Sequence, residues 1–193
     1  MIDYIKGTIT QITPAFLIIE TGGVGYFINI SLTTFSTLAG KNEYRILVHE
    51  VIREDAHQLY GFADLEEREI FRLLISVSGV GAATARMMLS SLSPAEVERA
   101  VIGSEVNVLK SVKGIGLKTA QRIIVDLKDK LGKQSETDEI FGFPDNTRRE
   151  EALSALVMLG FAKSAVSKVL DKILREEKNL SVENLIKRAL KNL

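Results

Sequence analysis

A nine-residue pattern occurs twice in this chain, and the second copy begins 35 residues after the first. Residues 77–85 and 112–120 are identical at five of the nine positions, and each copy contains Gly-apolar-Gly, three further residues and an alanine. The first glycine permits a tight turn, and the second keeps a side chain away from any group that approaches closely. Because a helical apolar pattern follows each copy, both copies are predicted to be turns that open a helix.

Turns of this kind are anion sites, because the first N–H groups of a helix have no intrahelical partner and its dipole adds partial positive charge there. Two other phosphate loops do not fit the pattern. A dinucleotide fingerprint would need a third glycine where Thr84 and Thr119 stand, and a Walker loop would need lysine directly after Gly116. Plain helix–helix turns are the alternative, but two matched copies beside a basic cluster favour anion binding.

The distribution of charge locates that cluster. The 193 residues include 25 basic and 25 acidic side chains, which gives a formal net charge of zero. Residues 110–133 nevertheless contain seven basic and two acidic side chains, whereas residues 1–65 contain four basic and seven acidic ones. A phosphate backbone would therefore bind at the second copy of the pattern.

Composition excludes several kinds of site. Cysteine is absent, so the chain has no disulfide, thiolate ligand or cysteine nucleophile. The two histidines, His49 and His57, are too few for a histidine metal cage and are expected to be structural or surface residues. The first residues do not resemble a secretory signal and no apolar run approaches the length of a membrane span, so a cytoplasmic protein without membrane contact is expected.

The N-terminal segment, residues 1–63, is rich in β-branched and aromatic residues between turn signals. The predicted strands are 4–12, 16–21, 25–30, 44–53 and 57–62. Gly22 and Gly23 predict a hairpin between the second and third strands, since glycine tolerates the positive φ of tight hairpins. Five short strands must close or expose their edges, which predicts an OB-fold barrel, with an SH3-like barrel as the alternative.

The rest of the chain is predicted to be helical, so the fold class is multi-domain α+β. Residues 64–132 form an all-α segment, in which Ser93 to Glu96 predict a capped helix start. Residues 133–148 lose periodicity and are predicted to be a flexible linker. Residues 149–193 return to helical spacing and predict a small three-helix module with apolar surface available to a partner.

The two glycine turns resemble the helix-hairpin-helix motif, which holds nucleic-acid backbones without reading base sequence. Two further sequence segments carry a resemblance to a known family: Arg-Glu-Asp-Ala-His-Gln-Leu-Tyr-Gly-Phe at 53–62 and Leu-Val-Met-Leu-Gly-Phe at 156–161. With a barrel in front and a helical module behind, the whole chain resembles the RuvA family in the order of its parts. The central segment then corresponds to a tandem helix-hairpin-helix domain, and the C-terminal module is similar to ubiquitin-associated domains.

The resemblance implies a homotetramer that holds an open four-way (Holliday) DNA junction, with a face-to-face octamer as the other possible assembly. It implies that the C-terminal module binds the hexameric RuvB motor, which hydrolyses ATP during branch migration in recombination and repair. The RuvC resolvase is a further implied member of the complex. The chain itself is then expected to be a non-catalytic subunit without cofactor or metal, and no nucleophile–base pair is evident in it.

The resemblance also implies which residues contact DNA phosphates, through backbone amides and cations. The positions that match the two motifs are Gly79, Val80, Gly81, Gly114, Ile115, Gly116, Lys118, Thr119 and Arg122. Many members of the family carry a lysine where this chain has Ala83. Arg86, one turn further along the predicted helix, is the expected substitute.

Glu54 and Asp55 match the acidic pin of the family, whose carboxylates repel phosphates near the crossover and help to part the strands. An exposed hairpin tip with two solvated acids is the alternative, and a nuclease metal site would need further ligands. The candidates for the core of the C-terminal module or for its motor contact, which sequence does not separate, are Leu156, Leu159, Phe161, Val169 and Leu170.

Two other functions compete with a DNA scaffold. Helix-hairpin-helix motifs also occur in DNA-repair enzymes, and Asp126 or Lys128 would then be the catalytic candidates of a glycosylase. A protein-interaction adaptor that binds a ubiquitin-like partner is the third hypothesis. It leaves the basic segment and the doubled turn unexplained.

Overall fold

The structure is a computed structural model that describes the backbone of residues 1–139, 144–177 and 180–193, and their side chains except those of 133–147 and 176. The chain divides into two compact units, Met1–Lys133 and Gln134–Leu193. None of the described helices is both long and apolar enough to cross a membrane.

Five strands of the first unit close into a barrel in the order β1-β2-β3-β5-β4. The strands are β1 (Tyr4–Ile12), β2 (Phe16–Thr21), β3 (Val24–Ile30), β4 (Glu43–Ile52) and β5 (His57–Phe62). Neighbouring strands are antiparallel except β3 and β5, which pair in parallel. This closed five-stranded barrel confirms the predicted OB-like fold, and each strand begins and ends within one residue of its predicted bounds.

Alternation along the strands builds the interior of the barrel, because successive side chains point to opposite faces. The inward residues that are almost completely buried are Leu17, Ile19, Ile28, Ile30, Ile46 and Val48. Gly22 and Gly23 have φ values of 59° and 79° at the turn between β2 and β3. Two successive positive φ values are typical of the tight hairpin turn that was expected there.

Helix α1 (Leu32–Leu38) lies between β3 and β4, where no element was predicted. Its first turn is capped by Ser31, which accepts from the backbone N–H of Thr34 at 3.0 Å. The hydroxyls of Ser31 and Thr34 both donate to the carboxylate of Glu67, a buried residue 33 positions beyond Thr34. Helix α1 is thus fixed by a distant contact, which local propensity does not reveal.

The remaining helices of the first unit are α2 (Leu65–Ile75), α3 (Ala82–Ser91), α4 (Pro94–Ile102), α5 (Val106–Lys110) and α6 (Leu117–Glu139). Asp64 caps α2, and Ser93 with Glu96 forms a complete capping box at the start of α4, as predicted. Each glycine turn precedes a helix, since α3 and α6 start directly after Gly81 and Gly116.

Phe71 of α2 joins these helices to the barrel. The side chain is fully buried, and its ring centroid lies 5.2 Å from that of Tyr60 and 4.9 Å from that of Phe62, both on β5. Helix α1 makes a polar contact with α3, in which the Thr33 hydroxyl donates to the backbone carbonyl of Leu89 at 2.7 Å. Strand β5 therefore contributes Tyr60 and Phe62 to the apolar core of the helices, whereas the interior of the barrel forms an apolar cluster of its own.

The second unit contains α7 (Pro144–Met158), α8 (Lys163–Glu176) and α9 (Val182–Leu190). Its core consists of Ala152, Leu156, Val166, Leu170, Ile173, Leu185 and Ala189. Because α6 continues to Glu139 and α7 starts at Pro144, both ends of the predicted linker 133–148 have helical backbone. Residues 140–143 lie outside the described part of the chain, and the flexibility of the segment stays a prediction.

Candidate nucleic-acid interface

The two glycine turns have the same geometry. Gly79 and Gly114, the first glycines of each copy, have φ values of 92° and 93°. In the first copy the N–H of Val80 donates to the carbonyl of Val77 at 3.0 Å, and the equivalent bond of the second copy measures 3.1 Å. The sequence repeat is therefore a structural repeat, in which positive φ requires glycine at the first position of each turn.

The apolar residue between the two glycines belongs to the core. Val80 and Ile115 are each only 5% exposed, and both N–H groups donate inside their own turn. Their expected contact with phosphate stays a prediction, and the structure shows both N–H groups engaged within the protein. The role of Val80 and Ile115 is to anchor each turn to the core, so that the flanking glycines stand at the surface.

The second glycine of each turn leaves the helix start open. Gly81 and Gly116 accept the first intrahelical bonds of α3 and α6 at 2.9 Å, and neither has a positive φ. A Cβ placed on either residue would meet no atom within 4 Å. Serine or aspartate would cap a helix slightly better than glycine, and no packing contact among the described residues requires glycine at either position. Their bare backbone leaves the first-turn N–H groups accessible to an external anion.

A hydrogen bond connects the two turns. Nη1 of Arg122, on α6, donates to the backbone carbonyl of Ser78 in the first turn at 3.2 Å. Lys118 is exposed in the first turn of α6, and the neighbouring Thr119 is half-buried. The structure thus brings the first turn and a basic side chain of the second copy to one place on the surface.

Arg86 lies elsewhere. Its Nη1 donates to the backbone carbonyl of Ala15 at 2.7 Å and to Oδ1 of Asn29 at 3.5 Å, and both acceptors belong to the barrel. The exposed Ala83 is therefore not replaced by a free arginine side chain. The expectation that Arg86 substitutes for the missing lysine gains no support from this geometry.

The candidate pin is the loop between β4 and β5. The N–H of Arg53 donates to the carbonyl of Ala56 at 2.8 Å, which closes a short turn with Glu54 and Asp55 exposed at its tip. At the base of this hairpin, the carboxylate of Glu50 lies 3.4 Å from Nε2 of His57 and accepts from the N–H of Ile2 at 2.9 Å. The bond from Ile2 is the main cause that lowers the pKa of Glu50.

In the C-terminal unit, burial separates the five candidate residues. Leu156 and Leu170 are fully buried and belong to the core, which is one of the two roles that the sequence left open for them. Phe161 and Val169 are half-buried at the edge of the same core. Leu159 is 62% exposed at the end of α7 and is the candidate that remains available to a motor.

Sequence reasoning missed Met158, which precedes Leu159 and is 86% exposed. Gly160 follows with a φ of 99°, and the N–H of Phe161 donates to the carbonyl of Leu156 at 3.2 Å. This C-terminal cap ends α7 with two large apolar side chains at the surface. The Met-Leu-Gly sequence itself was the available signal.

The repair-enzyme alternative depends on a metal site or on Asp126 and Lys128. No group of three or more His, Cys, Asp or Glu side chains within the described residues could hold a metal ion. Asp126 and Lys128 are exposed on α6, and Nζ of Lys128 donates to the Ser104 hydroxyl at 2.8 Å.

Three family models match the chain in the order of its segments: the RuvA N terminal domain at residues 1–61, the SAM-like helix-hairpin-helix tandem at 71–129, and the RuvA C-terminal domain at 147–193. A relative from Christiangramia forsetii is 53% identical over the full length of both chains. The chain belongs to the RuvA family. Relatives from Bacteroides thetaiotaomicron and Porphyromonas gingivalis are 50% and 51% identical, again over the full length of both chains.

These relatives carry the name Holliday junction branch migration complex subunit RuvA. The RuvA barrel match covers the β4–β5 hairpin with the acidic tip, and the tandem match covers both glycine turns. The RuvA C-terminal match includes the exposed end of α7. Each candidate surface therefore lies within a segment that the family comparison recognises.

Proposed function

We propose that this chain binds four-way DNA junctions through its two glycine turns and serves as the DNA-binding subunit of a branch migration complex. The observation that carries the proposal is the pair of equivalent turns, each followed by an open helix start. Membership of the RuvA family and the names of its relatives support the junction as the substrate.

The turns would hold DNA by its phosphates. First-turn N–H groups of α3 and α6 donate to phosphate oxygens, and Lys118, Thr119 and Arg122 add charge and a hydroxyl donor. The apolar residues of the turns are buried, so they cannot reach into a groove to read bases. Binding is therefore independent of sequence and strongly dependent on salt, because each neutralised phosphate releases counterions.

Four copies would surround the crossover, with Glu54 and Asp55 of each copy near its centre. Carboxylates there repel phosphates, so they oppose duplex DNA across the centre and favour a junction whose strands have parted. The pin selects the shape of the DNA, while the turns supply the affinity. An octamer of two facing tetramers is the larger form of the same assembly.

The exposed end of α7 would bind the RuvB motor. Met158 and Leu159 offer an apolar contact of the kind that partner surfaces use. ATP hydrolysis then belongs to RuvB, and this chain needs no cofactor. RuvC would act on the junction held by the same complex.

The first experiment is a gel-shift titration of a four-way junction and a linear duplex of equal length, at two salt concentrations. The mass of the protein in solution is measured in parallel by light scattering. We expect a tetramer that strongly prefers the junction and binds more weakly at high salt. Equal and weak binding of both DNAs by a monomer would refute the proposal.

A matched pair of variants assigns the binding to the turns. Lys118→Ala should weaken junction binding and reduce the salt slope by about one counterion per subunit. Lys163→Ala removes an exposed lysine from the C-terminal unit and should change neither quantity. Incubation with lesion-bearing duplex and metal ions tests the repair-enzyme alternative, and cleavage of the DNA would support that alternative.

A further inference from the structure

The two hairpins differ in charge although their backbones are equivalent. The second hairpin carries basic residues at three positions where the first carries none: Lys113, Lys118 and Arg122 correspond to Ser78, Ala83 and Met87. Arg86 is the one basic residue between positions 76 and 92, and it donates to the barrel. The first hairpin thus has an open helix start, but its one arginine is directed to the barrel and not to the turn.

Arg122 reaches the turn of the first hairpin. Although it belongs to α6, its Nη1 donates to the carbonyl of Ser78, 44 positions earlier. A trans peptide unit is planar, and its C=O and N–H point in opposite directions. Fixing the carbonyl of Ser78 therefore fixes the direction of the N–H of Gly79, which lies in the first turn.

We propose that Arg122 serves the first hairpin: it supplies positive charge at that turn and orients the Gly79 amide. The proposal rests on the proposed function and assigns one residue of that DNA-binding surface. Guanidinium has five N–H donors in a rigid fork, so a side chain that donates one to Ser78 has others to offer to a phosphate. Arg122, rather than Arg86, then compensates for the lysine missing at Ala83.

This assignment makes the two hairpins one composite phosphate site. Lys118 lies in the first turn of the second hairpin's own helix, whereas Arg122 of the same helix contacts the first hairpin. Two phosphates would then be held at a spacing set by the contact between α6 and the first turn. Each hairpin alone would lack part of the site.

The decisive variants are Arg122→Met, which makes the second copy match the first at this position, and Ala83→Lys, which restores the missing lysine. Arg122→Met should weaken junction binding about tenfold or more, because a bond to a charged group is lost. Adding Ala83→Lys should recover most of that loss, since Ala83 is exposed in the first turn of α3. The same Ala83→Lys substitution should not rescue Lys118→Ala, whose missing charge lies in the other hairpin.

Rescue of both variants to the same extent, or of neither, would overturn the assignment of Arg122 to the first hairpin. Wild-type protein without junction preference would instead refute the proposed function, so the two failures are distinguishable. A second measurement needs no DNA. In the free protein, Arg122→Met should shift the amide NMR signal of Gly79 clearly more than that of Gly114, and equal shifts would contradict the proposal.

Discussion

Gly79 and Gly81 lie two residues apart in the first turn, yet the fold requires glycine only at Gly79. Its φ of 92° strains any other residue, so Gly79→Ala should cost about 1–2 kcal/mol of unfolding free energy. Gly81 has ordinary backbone angles and open space, and Gly81→Ser should keep that free energy or raise it by a few tenths of a kcal/mol through better capping. The same serine should weaken junction binding, because its hydroxyl would accept from the first-turn N–H groups that we propose donate to phosphate.

Urea unfolding and junction titration of both variants separate these roles. An equal loss of stability in Gly79→Ala and Gly81→Ser would show that the second glycine is structural. Wild-type junction affinity in Gly81→Ser would show that the open helix start does not bind DNA. Gly116→Ser offers the same comparison in the second hairpin.

Glu67 is a buried carboxylate that stabilises the contact between α1 and α2. The Thr34 hydroxyl donates to it at 2.5 Å, and the Ser31 hydroxyl donates to its other oxygen. Burial raises the pKa of Glu67 above its ordinary value of 4.5, although the hydrogen bonds from Ser31, Thr34 and Ala63 act in the opposite direction. The native state therefore holds this proton more tightly than the unfolded state does.

A raised native pKa makes the contribution of Glu67 to stability decrease as pH rises from 4.5 through the native pKa. Glu67→Gln cannot ionise. The unfolding free energy of the wild type, minus that of Glu67→Gln, should therefore decrease across this range and then level off. Urea unfolding at a series of pH values measures the difference, in which the other titrating groups cancel. A difference that increases with pH would mean that the folded protein stabilises the ionised carboxylate.

At the scale of elements, helix α7 buries Leu156 in the core and exposes Met158 and Leu159 at its C-terminal end. Leu156→Ala should cost about 2–5 kcal/mol, because it opens a cavity in the small core of the C-terminal unit. Met158→Lys with Leu159→Lys should leave the melting temperature nearly unchanged, since both side chains are exposed and cations suit a helix C-terminus. The lysine pair should nevertheless abolish binding to purified RuvB in calorimetry. Undiminished binding would place the motor contact on another face of the module.

Local patterns predicted the elements whose determinants are local. The strands follow from alternation, the start of α4 from Ser93 and Glu96, and the hairpin from two adjacent glycines. Helix α1 was missed because its sequence is rich in threonine and its contacts with Glu67 come from far along the chain. Periodicity likewise identified an apolar stripe on α7 without showing which of its residues packing would cover.

The same limit applies to the site. The repeat predicted both turns correctly, because glycine at fixed spacing has few structural uses. It did not predict that the side chains of Val80 and Ile115 would be buried in the core, nor that Arg86 would donate to the barrel. Those outcomes depend on which surfaces meet in three dimensions. Residue spacing along the chain predicts which side chains share a face of one helix or strand, but not which other element that face contacts.

At the scale of the whole DNA-binding unit, the pin and the turns belong to one packed body. Strand β5 leaves the acidic loop and carries Tyr60 and Phe62 into contact with Phe71 of α2. The glycine turns follow α2 and share its core. The distance between the acidic tip and the two glycine turns is thus set by the fold, and the proposed selection of DNA by its shape requires such a fixed distance.

If the pin selects by repulsion, removing its charge should change specificity more than affinity. Glu54→Gln with Asp55→Asn keeps the size of both side chains and removes two negative charges per copy. Junction binding should be retained or tightened, and linear duplex should bind better, most clearly at low salt where screening is weak. The measured quantity is the ratio of the Kd for duplex to the Kd for junction, which should fall.

Asp126→Asn with Asp129→Asn makes the same charge change at exposed positions of α6 and should leave the ratio near that of the wild type. A large loss of junction affinity in the pin variant would mean that these carboxylates hold the junction instead, and an equal fall of the ratio in the α6 variant would mean that net charge alone sets the preference.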